Sequence, residues 1–87
     1  MKRVWILSYT HRHGEDISVY SSYKKAAAGA VDIMRQWEYE LDERFDLEQS
    51  LRDEIHSLLL QGDYEKVSEL WTQATDEELL IQDYEVQ

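Results

Sequence analysis

Hydrophobic and polar positions alternate twice near the start of the chain and then change period. Val4 to Tyr20 reads VWILSYTHRHGEDISVY, two β-rich runs around Gly14. Val, Trp, Ile and Tyr suit a pleated, half-buried surface, and the runs predict strands over roughly residues 3–11 and 16–21. Strand side chains point to opposite faces in turn. Trp5, Leu7, Tyr9 and His11 therefore share one face, and Val4, Ile6, Ser8 and Thr10 the other. Gly14 supplies the positive φ that a tight connection needs. Loop length then decides how the second strand is phased. A three-residue loop sets Ile17 and Val19 beside Trp5, Tyr9 and His11, whereas a two-residue loop sets Tyr20 there. The three-residue loop is the expectation, because it gathers the apolar residues on one side. A slip of one residue reverses it.

From Tyr23 the period becomes helical. Tyr23, Ala26, Ala27, Ala30, Ile33, Met34, Trp37 and Leu41 form one stripe, with Ser21 or Ser22 as cap. Lys25, Ala28, Asp32, Arg35 and Tyr39 fall on the opposite face. Asp46 followed by Gln49 is a capping-box pattern opening a second helix with core positions Leu47, Leu51, Ile55, Leu58 and Leu59. Phe45 is expected to anchor the preceding turn. Gln61-Gly62 closes that helix, with Gly62 in the left-handed position after it. Asp63 caps a third helix, whose inward positions are Tyr64, Val67, Leu70, Trp71 and Ala74. The end is ambiguous by pattern. Thr75-Asp76-Glu77-Glu78 is a capping box, but Leu79 to Val86 has strand character and is read as a third strand pairing with an edge of the hairpin. The expectation is one α+β domain over residues 1–87, a small antiparallel sheet packed on three helices in the order ββαααβ.

Charge changes this picture most. Of the 87 residues, 19 are acidic and 9 are Lys or Arg, for a net charge of −10. Residues 1–37 carry six basic side chains and three acidic ones, a net of +3. Residues 38–87 carry three basic and sixteen acidic ones, a net of −13. Phosphates would repel that second half, so direct nucleic-acid binding is disfavoured. A protein that itself binds nucleic acid through Lys and Arg is attracted instead. Simple solubility is the plainer account of acidity. Grouped carboxylates repel one another, however, and rows of them one helical turn apart can present a spaced negative array.

No catalytic signature accompanies the charge. There is no cysteine, hence no disulfide or thiolate metal site. No serine sits in a Gly-x-Ser-x-Gly turn, and Gly14, Gly29 and Gly62 are too scattered for a phosphate-cradling loop or a cofactor motif. His11 and His13 share a strand face, and Glu15 or Asp16 can approach across the turn. A metal site needs three or four ligands in closed geometry, and His56 belongs to the outward side of the second helix. Exposed histidines at a hairpin tip are the simpler account. No run approaches the ~20 residues that span a bilayer, and the four apolar residues after Met1-Lys2-Arg3 fall short of a signal peptide. The chain reads as a non-enzymatic, cytoplasmic protein without cofactor or metal, a monomer or weak dimer.

Val4-Trp5-Ile6-Leu7-Ser8-Tyr9, then His11-Arg12-His13-Gly14-Glu15-Asp16-Ile17, then Val19-Tyr20 resemble the opening of small proteins carried by bacteriophages and mobile elements. Those proteins share a Trp-bearing first strand, a His-Gly-x-Asp turn, an Ala-rich helix and a strand-like acidic end. Size, acidity and element order are also similar to those of anti-CRISPR proteins that block type I interference complexes. The resemblance implies a stoichiometric inhibitor acting in a bacterial host cell. The charge pattern supplies the candidate residues. Asp42, Glu43, Asp46, Asp53, Glu65, Glu69, Asp76, Glu77 and Glu78 would stand in for phosphates, with Tyr39 as an apolar anchor. The expected partner is a host nucleic-acid-binding protein, such as a type I effector subunit at its DNA- or PAM-binding surface. The other reading is a non-catalytic adaptor that pairs through a strand edge, its acidity serving only solubility.

Overall fold

A computed structural model describes residues 2–39, 41 and 47–86. The elements follow the order ββαααβ: β1 (Lys2–His11), β2 (Gly14–Tyr20), α1 (Tyr23–Trp37), α2 (Gln49–Gln61), α3 (Tyr64–Thr75) and β3 (Glu78–Val86). The strands form one antiparallel sheet in the order β2-β1-β3, with the first strand at the centre. The terminal run Leu79 to Val86 is thus a strand, and it pairs along β1 from Lys2↔Val86 to Thr10↔Glu78.

The hairpin corrects one expectation. His11 pairs with Gly14, so the loop is the two residues Arg12 and His13, and the register runs to Trp5↔Tyr20. Tyr20, not Ile17 or Val19, joins Trp5, Leu7 and Tyr9 on the helix side. The reason lies in α1. Gly29 leaves room for the Tyr20 ring, whose Cζ would lie 2.6 Å from a Cβ built there. A large aromatic fills the gap between sheet and helix better than two short aliphatics. Ile17 and Val19 consequently stand 63% and 61% exposed.

Helix boundaries follow local chemistry. Ser22 Oγ accepts from the Lys25 N–H at 3.2 Å and Asp63 Oδ1 from the Lys66 N–H at 3.3 Å, capping α1 and α3. Gly62 takes the left-handed conformation at φ 74°, ending α2. Asp76 does the same for α3 at φ 60°, so Thr75–Glu78 is a helix exit and not a new helix. The second helix differs from expectation at its start. Its N-cap is Glu48, with no side-chain cap bond, and Asp46 and Phe45 lie outside the described residues.

The three described helices lie on one side of the sheet. α1 packs across the three strands, α3 on β3, and α2 rests on α1 and α3. Leu7, Tyr9, Ala30, Met34, Ile55, Leu59, Val67, Trp71 and Leu79 form the core. Arg35 is exposed on the outward face of α1, as expected. From there its Nε donates to the Leu59 carbonyl at 3.0 Å, an acceptor it shares with the Gly62 N–H at the end of α2. The molecule is a slab only 17 Å thick, and among the described residues no helix covers the other face of the sheet.

Candidate functional site

The third helix organises the negative charge. Glu65 and Glu69 are exposed on α3, and exposed Asp76 caps its end. The four-residue spacing keeps Glu65 and Glu69 on one stripe, about 6 Å apart along the axis, and Asp76 follows just beyond the helix end. Among the described residues the ion pairs of Arg are Arg3–Asp83 and Arg35–Asp32, and His11–Asp16 and His56–Glu38 join imidazole to carboxylate. None of them reaches this row. Glu65 instead accepts from the Tyr23 hydroxyl at 3.3 Å, which ties the row to α1 and leaves its charge in place. Burial, and then the Glu65 charge and hydrogen bond, push the Tyr23 phenol above its usual value.

The other candidates divide. Asp53 is exposed on α2 and accepts from Gln49 Nε2 at 2.8 Å, one helical turn away. Tyr39 is 54% exposed with its ring 6.2 Å from that of Trp37. Glu78 is exposed, but its pairing with Thr10 puts it on the helix-free face of the sheet, away from α3. Asp42, Glu43 and Asp46 lie outside the described residues. Glu77 departs from the expectation of an outward phosphate mimic. It is 9% exposed, and its Oε1 accepts from the Tyr9 hydroxyl at 2.7 Å and from the Trp71 indole N–H at 3.1 Å. The buried Trp71 indole N–H needs an acceptor, and the carboxylate turns inward to supply it. The one signal available in the sequence was the need of a buried Trp and Tyr for an acceptor.

The hairpin mouth forms a second candidate. Tyr9, His11, Arg12, His13, Asp16, Trp37 and Glu77 line a cleft of about 210 Å³, smaller than the ~300–1,000 Å³ of small-molecule sites. The His13 backbone N–H points at His11 Nδ1, at 3.2 Å. That fixes the proton on Nε2, which donates to Asp16 Oδ2 at 2.9 Å. Arg12 Nε donates to His13 Nε2 at 3.2 Å. Three of the four imidazole nitrogens are thus engaged within the turn, leaving His11 no open lone pair for a metal or a substrate proton. Among the described residues, no three His, Asp or Glu side chains converge to hold a metal ion, and no helix is long and apolar enough to cross a membrane. His56 is exposed on α2, as expected, and bonds to Glu38.

No family model, curated protein or solved structure matches the chain.

Proposed function

We propose that the chain is a non-catalytic inhibitory protein that occupies a basic nucleic-acid-binding surface of a host defence complex. The carrying observation is the exposed row Glu65–Glu69–Asp76, free of the ion pairs formed by the described residues, on a chain of net charge −10. A groove built to hold a phosphate backbone presents Lys and Arg at short intervals. A rigid helix offering carboxylates at such intervals competes for them, and the long-range field speeds encounter. The resemblance to anti-CRISPR proteins makes the DNA-entry or PAM-reading surface of a type I interference complex the concrete target, reached in the bacterial cytoplasm. Exposed Asp53 on α2 offers a further carboxylate, and exposed Tyr39 offers apolar contact.

The test uses a purified type I interference complex and labelled target DNA. The protein should block DNA binding near one-to-one stoichiometry, with affinity falling as salt rises. Glu65→Lys with Glu69→Lys should abolish the block while circular dichroism stays unchanged. Undiminished inhibition by that folded variant sinks the charge-mimicry reading. A second reading rests on the sheet order. β2 and β3 are both edge strands, and strand addition would join a partner through backbone hydrogen bonds. Its mark is partner recovery from lysate that survives high salt.

A further inference from the structure

We propose that the helix-free face of the sheet is covered by a second copy of this chain. An antiparallel sheet with one solvated face shows apolar residues inward and polar ones outward. This sheet breaks that rule. Its register puts Val4, Ile6, Ile17, Val19, Leu80, Tyr84 and Val86 together on the side away from the helices. Five of the seven are 44% or more exposed. Contiguous apolar area of this kind marks an interaction surface.

Charge identifies the occupant and its orientation. The charged residues phased to this face are Lys2, Glu15 and Glu78, a net of −1 out of the chain's −10. Two copies repel through most other surfaces and least through this one. Lys2 lies at one end of β1. Glu15 and Glu78 flank Thr10 at the other end. A two-fold axis lying in the interface, across the strands at Ile6, sets Lys2 of each copy over the other copy's Glu15 and Glu78. A two-fold axis along the strands would set Lys2 over Lys2, so charge selects the first arrangement.

Shape agrees with that choice. The same operation lays Tyr84 over the second copy's Leu80 and stacks Ile6 on Ile6. It also brings the protruding Ile17 over a hollow of about 490 Å³ lined by Lys2, Arg3, Val4, Val19, Tyr20 and Ser21. The face spans about 30 Å along β1 and about 14 Å across three strands. Its corrugated surface is roughly 600 Å² per copy, so a dimer buries about 1,200 Å² in total, the lower end of stable specific interfaces. The product is a four-layer sandwich with its sheets about 10 Å apart and an α3 acid row on each outer side.

Sedimentation equilibrium on the full chain tests this without reference to any other partner. The wild type should show a mass near twice 10.4 kDa at tens of micromolar, and association should tighten from 50 to 500 mM salt as repulsion between the acidic copies is screened. Ile17→Thr with Val19→Thr keeps strand-forming residues at exposed positions and should weaken dimerisation at least about 100-fold. Lys2→Glu should weaken it too, and adding Glu78→Lys should restore much of the loss. Circular dichroism reports that each variant is folded. A wild type that stays monomeric at several hundred micromolar overturns the proposal, as does a dimer indifferent to Ile17 and Val19. If the monomer binds a different protein through this face, the occupant is that protein and the proposal fails.

Discussion

Glu77→Ala should be the most damaging single carboxylate truncation among the described residues. In the folded chain one oxygen of Glu77 receives both the Tyr9 hydroxyl and the Trp71 indole N–H. Trp71 is 2% exposed and Tyr9 6%, so water cannot readily replace the acceptor. Leaving the buried Trp71 N–H unpaired costs about 1–3 kcal/mol, and the Tyr9 hydroxyl loses one contact of about 1 kcal/mol. The expected loss is about 2–4 kcal/mol, from a total stability of only about 4–13 kcal/mol for a domain of this length. Glu77→Gln keeps a carbonyl oxygen in the same place and loses only the charge-assisted part, about 1 kcal/mol. Urea titration followed by tryptophan fluorescence separates the cases. With a slope of about 1–2 kcal/mol/M, the alanine variant's midpoint should fall by about 2 M and the glutamine variant's by well under 1 M. A double-mutant cycle with Tyr9→Phe should show coupling of about 1 kcal/mol or more. The reasoning is refuted if alanine costs less than about 0.5 kcal/mol, or if glutamine is as damaging as alanine.

Three further outcomes follow from particular contacts. Gly29→Ala should destabilise the wild type by about 1 kcal/mol, because crowding against the Tyr20 ring outweighs the helix-propensity gain. The same change in a Tyr20→Ser background should stabilise, and thermal melts that show no reversal of sign would deny the register. Gly62→Ala meets no atom within 4 Å but holds φ at +74°, so the cost should be purely of the backbone, about 1–2 kcal/mol, read as a drop of several degrees in Tm. The phenols of Tyr23 and Tyr64 are both raised, chiefly by burial. Raised folded values mean their contribution is fully present below the unfolded phenol value of about 10 and is lost as pH rises through the folded ones. Stability should therefore fall in the alkaline range, and Tyr64→Phe should flatten that fall.

Elements carried by local rules were legible in the sequence. The caps at Ser22 and Asp63, the stop at Gly62 and the strand after Glu78 all depend on short-range chemistry, and each is found. The hairpin phase was not legible, since two loop lengths satisfy the same local pattern and the choice is made by a cavity over Gly29 in another element. Arg35 is outward as its helical phase predicts, but its bond to Leu59 was not legible, as that acceptor comes from a helix far along the chain. In the candidate site, Glu65 and Glu69 follow directly from helical spacing. Glu77 shows where charge counting fails, because composition records a carboxylate but not the donors that claim it.

Breaking the alternation rule on the outer sheet face also changes how the acidic surface should be tested. Mimicry of nucleic acid through α3 and self-association through the sheet use opposite sides of a thin slab, so neither blocks the other. Salt separates them by sign. Screening removes attraction between the acid row and a basic groove, but it removes repulsion between two acidic copies. A salt series on the mixture therefore has a definite shape under both proposals. The inhibited complex should release the protein as salt rises, and the released protein should be dimeric. If the bound protein is monomeric and dimerises only on release, the same surface serves both contacts, and the assignment of charge to α3 and of apolar area to the sheet cannot both stand.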